Sequence, residues 1–184
     1  MSLGCAGLSN REWWQGEVVD ISASPREARV GEQVSIEVEF DTYKERVRDP
    51  FTGDYTDELE PDDNGLVILL PLGLKYVPES AELNAGLESS GFNKRAPDSI
   101  VTCDEGTPPG TLPVNAGRQA ILFDFPGGTS LSTNIARLRF QGLVFEPSGE
   151  VEIEVSLRES HGTRACFYRG DGIIDRRRSV ELLP

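Results

Sequence analysis

The residues with the clearest capacity for chemistry are the carboxylates between positions 41 and 63. Nine aspartates and glutamates fall in this stretch. Clustered carboxylates repel one another unless solvent or a hard cation neutralises them. Their spacing does not match the helix–loop–helix calcium loop, which needs acids at alternate positions and a glutamate at the twelfth. A solvated acidic loop is therefore the first interpretation. A calcium site is the alternative, and its candidate ligands are Asp54, Asp57, Glu58, Asp62 and Asp63.

The three cysteines indicate an oxidising compartment. Cys103 and Cys166 lie in or beside probable strands, whereas Cys5 stands in a small, polar leader. Two cysteines able to pair and one near the terminus favour an exported protein with a Cys103–Cys166 disulfide. A pair of buried thiols in a reducing cytosol is the alternative.

The leader around Cys5 has a pattern of its own. Residues 2–7, Ser-Leu-Gly-Cys-Ala-Gly, resemble the end of a bacterial lipoprotein signal. The resemblance implies acylation of Cys5 and a lipid anchor. A free surface cysteine without a role is the alternative interpretation.

The patterns required by common enzymes are missing. The chain has one histidine, His161, so it cannot supply a multi-histidine zinc site. It contains no Gly-x-Ser-x-Gly elbow, phosphate-binding glycine loop or dinucleotide fingerprint. We expect no catalytic activity and no cofactor, calcium excepted.

Charge restricts the partners. The formal net charge of −13 repels nucleic acid and anionic lipid, so we predict that nucleic acid is not bound. No run of about 18 or more apolar residues occurs, so no transmembrane segment is predicted. A protein or another component of the envelope is the expected partner.

The hydrophobic pattern predicts strands throughout. Leu66–Leu70 is a continuous apolar run between Asn-Gly and Pro-x-Gly, typical of a strand buried on both faces. Val34, Ile36, Val38 and Phe40 alternate with polar residues, typical of an antiparallel strand with one wet face. No helical periodicity of useful length is present, so the predicted fold is an all-β antiparallel sandwich with long loop insertions.

The predicted domain organisation is a flexible leader, residues 1–16, followed by a single sandwich domain, residues 17–184. The domain carries the acidic insertion 41–63 and a polar insertion 84–118. Trp13 and Trp14 in the leader are candidates for stacking on a carbohydrate. Packing at a sheet edge is the preferred interpretation, because a lone pair of rings makes a poor platform.

Three segments carry a family resemblance. Residues 31–38 form a Gly-acid-x-Val alternating strand, residues 70–81 contain a Leu-Pro-x-Gly-Leu turn, and residues 151–155 alternate again. The chain in these segments resembles the immunoglobulin-like repeat of bacterial cell-surface proteins of unknown function. Ile68 replaces the aspartate of the family's turn, and the acidic insertion replaces its Asn-x-Gly. The resemblance implies an immunoglobulin-like β-sandwich at the cell surface and no catalytic residue.

We therefore expect a non-catalytic structural, adhesion or protein-interaction module, exported to the bacterial cell envelope, in the periplasm or at the cell surface. The alternative is a calcium- or carbohydrate-binding module that uses the acidic loop.

Overall fold

A computed structural model describes residues 11–14, 17–41, 44–48, 51–52, 55–59, 65–84, 91–103, 115–125, 135–158, 166 and 176–184. The strands are β1 (Arg11–Trp14), β2 (Glu17–Ser24), β3 (Glu27–Arg29), β4 (Gln33–Asp41), β5 (Lys44–Arg48), β6 (Tyr55–Leu59), β7 (Gly65–Leu70), β8 (Leu74–Tyr76), β9 (Glu82–Asn84), β10 (Asn93–Lys94), β11 (Ser99–Thr102), β12 (Gln119–Asp124), β13 (Ala136–Val144), β14 (Gly149–Arg158) and β15 (Arg176–Leu183). In this part of the chain no helix is long and apolar enough to cross a membrane.

The strands form two six-stranded sheets and one small sheet. Sheet I has the order β10-β9-β13-β4-β2, and β8 also pairs with β13. Sheet II has the order β11-β12-β7-β14-β15-β3. The small sheet is β1-β5-β6. All pairs are antiparallel except β15 with β3, which is parallel. The predicted all-β sandwich is confirmed.

The order of the central strands in each sheet matches that of an immunoglobulin domain. The run β2-β4-β13 corresponds to strands A, B and E of an immunoglobulin domain, and β7-β14-β15 corresponds to C, F and G. The first strand is divided, because β2 joins sheet I and β3 joins sheet II beside β15. The arrangement departs from the immunoglobulin order between β7 and β12, where the chain crosses to sheet I and contributes β8, β9 and β10.

The alternating strand β4 faces the core as its sequence predicts. Its inward residues Val34, Ile36, Val38 and Phe40 are fully buried, and the residues between them are partly exposed. The Phe40 ring stacks on Phe125 with centroids 5.3 Å apart. Because these apolar side chains come from strands far apart in the sequence, their burial holds the two sheets together.

Strand β7 is buried along its whole length, as its continuous apolar run predicts. Leu66, Ile68 and Leu70 belong to the core between the sheets, and Leu69 belongs to a second apolar cluster. The turn that follows has Gly73 at φ 87°, a backbone conformation that favours glycine. Because β7 is buried on both of its faces, a layer outside sheet II must shield it from water.

Three segments predicted as leader or insertions contain strands. In the predicted leader 1–16, the described residues form β1, which pairs with β5. The acidic insertion 41–63 is not only a loop, because it contains β5 and β6, with Arg46 opposite Asp57. Strand β5 carries basic residues at three of its five positions, and the register places Glu45 opposite Glu58 as well as Arg46 opposite Asp57. The polar insertion 84–118 likewise includes β10 and β11. The turn containing His161 lies outside the described residues.

Candidate functional site

The predicted disulfide between Cys103 and Cys166 is confirmed. Their Cα atoms are 5.2 Å apart, the sulfurs are bonded, and 63 positions separate them in the sequence. Both cysteines are buried in the second apolar cluster with Leu69 and Ala120. The bridge therefore lies on the outer side of β7 and excludes water from it.

Backbone hydrogen bonds join the disulfide to the turn before β12. The amide of Cys103 donates to the carbonyl oxygen of Arg118 at 2.8 Å. The amide of Gly117 donates to the carbonyl oxygen of Cys103 at 2.7 Å. The amide of Asn115 donates to the carbonyl oxygen of Cys166 at 3.2 Å. The turn and both half-cystines thus form one layer over sheet II.

Arg118 fastens that layer to the sheet. Its guanidinium donates to the carbonyl oxygens of Leu69, Leu70 and Glu152, each at 3.1 Å. It also donates to Asn115 Oδ1 at 3.3 Å and to Glu154 Oε2 at 3.2 Å. Burial lowers the pKa of Arg118 from its ordinary value, and the carboxylate of Glu154 opposes that shift. Five hydrogen bonds use the guanidinium's full donor capacity, so this arginine has a structural role.

The outer face of sheet I carries a set of cross-strand ion pairs. Arg139 Nη2 is 2.6 Å from Glu82 Oε2, and Arg137 Nε is 2.9 Å from Glu39 Oε1. The hydrogen bond from Arg139 lowers the pKa of Glu82 below its ordinary value. The Arg139 guanidinium also lies over the ring of Phe92, 3.8 Å from its centroid. Aromatic and arginine side chains are enriched in protein interfaces, so this face is a candidate contact surface.

At the other end of this face two large apolar side chains are exposed. Leu143 and Phe145 are 36% and 40% exposed, while Val144 between them is buried. Lys75, opposite Leu143 in β8, places its ammonium 4.1 Å from the centroid of the Phe145 ring. We call Leu143, Phe145 and Lys75 the apolar patch.

A backbone hydrogen bond fixes the position of Phe145. The amide of Phe145 donates to the carbonyl oxygen of Gly73 at 2.9 Å. The Phe145 ring is 40% exposed and has the Lys75 ammonium against it. The phenylalanine remains available for an external contact.

The apolar patch is not among the sites predicted above, although the sequence carries a signal for it. In β13 the even positions Ala136, Leu138 and Phe140 face the core, so the odd positions face solvent. Large apolar residues at positions 143 and 145 follow arginines at 137 and 139. The change from charged to apolar residues along one exposed face indicates an interaction surface.

The other predicted site residues are not brought together in the described part of the chain. Asp57 and Glu58 lie in β6, where their backbones pair with Arg46 and Glu45. Trp13 and Trp14 lie in β1, where their backbones pair with Glu45 and Lys44. Cys5, Asp54, Asp62 and Asp63 lie outside the described residues. Among the described side chains no group of three or more metal-binding residues is found. Calcium, carbohydrate stacking and acylation stay predictions.

Comparison with known proteins gives distant likenesses in structure alone. No family model and no curated protein matches the chain. The fold is similar to the N-terminal domain of the Streptococcus gordonii adhesin Sgo0707, with a TM-score of 0.46 and 13% identity over 92% of this chain and 32% of that one. This chain therefore spans about a third of the adhesin chain that it matches.

Two further solved structures are similar at lower scores. One is AvmM, which catalyzes macrocyclization in alchivemycin A biosynthesis, with a TM-score of 0.40 and 14% identity over 96% of this chain and 90% of that one. The other is the Pseudomonas fluorescens alkylpurine DNA glycosylase AlkC, with a TM-score of 0.36 and 8% identity over 92% and 31%. Likenesses this distant carry no argument about function.

Proposed function

We propose that this chain is a non-catalytic module of the bacterial cell envelope that is exported and makes structural or adhesive contacts with another protein. The contact surface is the apolar patch on the outer face of sheet I. The exposure of Leu143 and Phe145 on a hydrogen-bonded strand is the observation that carries the proposal.

The energetics of the patch favour association. Full burial of an exposed leucine or phenylalanine contributes about 1.5–3 kcal/mol, and Leu143 and Phe145, which are 36% and 40% exposed, can gain only the corresponding part of it in an interface. Both residues lie on or directly after a strand that pairs on both sides, so little backbone entropy is lost on binding. An aromatic anchor on a rigid element is the usual form of an interface hot spot.

Lys75 adds a preference for one kind of partner. Its ammonium lies beside the Phe145 ring at the surface, and it is opposite Leu143. A partner with an apolar centre and a carboxylate at its margin complements all three residues.

The disulfide supports the proposed export, because disulfides persist in oxidising compartments and are rare in the cytosol.

Site-specific photocrosslinking in cells that produce the protein tests the proposal. We would place a photoreactive phenylalanine analogue at position 143 and, as a matched control, at Ser22, which is exposed on the outer face of sheet I two strands away. We expect a discrete crosslinked protein from position 143 and none from position 22. Phe145→Ser combined with the probe at 143 should reduce that product. Equal background labelling at both positions would overturn the proposed surface.

A further inference from the structure

The hairpin formed by β5 and β6 carries a phenylalanine that is almost wholly exposed. Residues 49–54, Asp-Pro-Phe-Thr-Gly-Asp, connect the last paired residues of the two strands, Arg48 and Tyr55. We call residues 49–54 the hairpin tip. Within it, Phe51 is 96% exposed. An apolar ring in water is stabilised when another apolar surface covers it, so Phe51 is a candidate anchor for a contact.

The hairpin is attached at the end of the sandwich opposite the apolar patch. It follows Asp41, the last residue of β4, whereas Leu143 of the patch pairs with Gln33, the first residue of that strand. The nine residues of β4 separate these two ends by roughly 25–30 Å. Because Phe51 and the patch are both exposed in the same chain, the patch is not covered by its own hairpin tip.

Apolar character continues from the patch onto the adjoining turns. Val30 is 47% exposed, and the amide of the following Gly31 donates to the last carbonyl oxygen of β13 at 2.8 Å. Leu72 is 51% exposed, and the carbonyl oxygen of the following Gly73 accepts from the amide of Phe145 at 2.9 Å. Backbone hydrogen bonds thus bring three segments with exposed apolar residues to this end of the sandwich.

Given the proposed function, on which this step rests, we propose that the apolar patch binds the hairpin tip of a second copy of this chain. Phe51 of one copy packs on Leu143 and Phe145 of the next. Aspartates stand at both ends of the hairpin tip in the sequence, and their charge suits the exposed ammonium of Lys75. Glu146 follows Phe145, so the hairpin's carboxylates belong on the Lys75 side of the ring.

The contact joins two different surfaces, so copies associate head to tail. Each contact leaves a hairpin tip on one copy and a patch on the other, and such contacts repeat into rings or open chains. A contact made by one loop tip is smaller than a standard interface of roughly 1,200–2,000 Å², so association depends on concentration. A symmetric contact of patch on patch is disfavoured, because it brings the Lys75 ammonium groups of both copies into one interface.

Sedimentation velocity of the purified chain, from about 10 µM to about 1 mM, tests the head-to-tail contact. We expect the weight-average sedimentation coefficient to rise with concentration, through species larger than a dimer. Phe51→Ser and Phe145→Ser each remove one of the two surfaces at an exposed position, so each should abolish the rise. Ile100→Ser is the matched control, because Ile100 is 44% exposed and lies outside both surfaces, and it should associate as the parent does.

A mixture of the two single variants separates a head-to-tail contact from a symmetric one. Phe51→Ser retains the patch and Phe145→Ser retains the hairpin tip, so together they should form one contact and stop at a dimer. Charge reversal gives a second measurement. Lys75→Glu should weaken association about tenfold, and adding Asp49→Lys and Asp54→Lys should restore part of it.

Several results would overturn the head-to-tail contact. One is a chain that stays monomeric up to about 1 mM while the probe at position 143 crosslinks a different protein in cells, which would leave the proposed function in place. Another is association that Phe145→Ser abolishes and Phe51→Ser does not change, which would assign the patch to a symmetric dimer. The proposed function itself fails on separate evidence, namely background labelling alone from position 143.

Discussion

The guanidinium of Arg118 lies 3.2 Å from the carboxylate of Glu154, measured from Nη1 to Oε2, on the outer side of sheet II. Only 16% and 14% of the two side chains are exposed. The same guanidinium donates to carbonyl oxygens of β7 and β14, so one side chain ties the disulfide layer to two strands. Arg118 thereby holds the disulfide layer over the outer side of β7, a strand that is apolar on both faces.

Replacing Arg118 by lysine should destabilise the fold by about 2–4 kcal/mol. Lysine lacks the planar fork of donors and cannot reach the carbonyl oxygens of Leu69, Leu70 and Glu152 together. Urea denaturation would measure the change in the free energy of unfolding. Arg137→Lys is the matched control, because the Arg137–Glu39 pair is more exposed and its loss should cost less than about 1 kcal/mol. Equal effects of the two substitutions would contradict the structural role of Arg118.

Gly73→Val should cost about 3 kcal/mol or more. The residue has φ 87°, and a Cβ there would lie 2.6 Å from Ser148 Oγ and also meet the carbonyl oxygen of Glu146. Leu72→Ala is the control in the same turn, since Leu72 is 51% exposed and should lose little. Thermal unfolding would compare the two variants. Similar small shifts in Tm would mean that the turn tolerates a side chain at position 73.

Reducing the Cys103–Cys166 disulfide should lower the free energy of unfolding by about 2–5 kcal/mol. The bridge restricts the unfolded chain and covers Leu69 in the folded one. Thiol counting under denaturing conditions, without reductant, should find one free thiol, that of Cys5. A count of three would contradict both the bridge and the proposed export. Cys5→Ser is the control, and it should leave the unfolding midpoint unchanged.

The ion pair on sheet I should make stability depend on acidic pH. The hydrogen bond from Arg139 lowers the pKa of Glu82 below its ordinary value of 4.5. Its contribution is therefore fully present above pH 4.5 and is lost as the pH falls through the lowered pKa of the folded state. The stability gap between the parent and Glu82→Gln should shrink over that range, as measured by denaturation at a series of pH values.

Arg139→Gln provides the control for that titration. Without the arginine, replacing Glu82 should produce a smaller pH-dependent difference in stability, because the largest cause of the lowered pKa is gone and only Lys94 remains beside the carboxyl. A gap that stays constant down to about pH 3 would show that the pair does not perturb the carboxyl.

Experiments on the acidic insertion can distinguish the contact module expected from the sequence from the alternative calcium-binding module. If residues 41–63 are only solvated, replacing Asp54, Asp57 and Glu58 by the corresponding amides should leave Tm unchanged or slightly raised, because repulsion is relieved. Calcium added to chelated protein should then produce no binding heat in calorimetry. Calcium-dependent stabilisation that the triple replacement abolishes would favour the metal-binding alternative.

Local patterns predicted the strands that form the core. Strand β4 alternates with the two-residue period of a half-buried strand, and β7 is apolar without interruption, so each could be recognised without knowledge of its neighbours. Strand β5 escaped prediction because its residues are mostly charged. A strand without an apolar face has no pattern that distinguishes it from a solvated loop, and only its pairing with β1 and β6 reveals it.

The sequence alone determined that the chain is an all-β protein, because side-chain periodicity is written in residue types, and it favoured a Cys103–Cys166 bridge without deciding between the bridge and two buried thiols. Only the tertiary structure decided what covers each sheet. Arg118 meets Leu70 across 48 positions of sequence, and the Phe145 ring meets Lys75 of β8. Such contacts depend on which distant segments come together when the apolar faces are buried, and no local pattern encodes that choice.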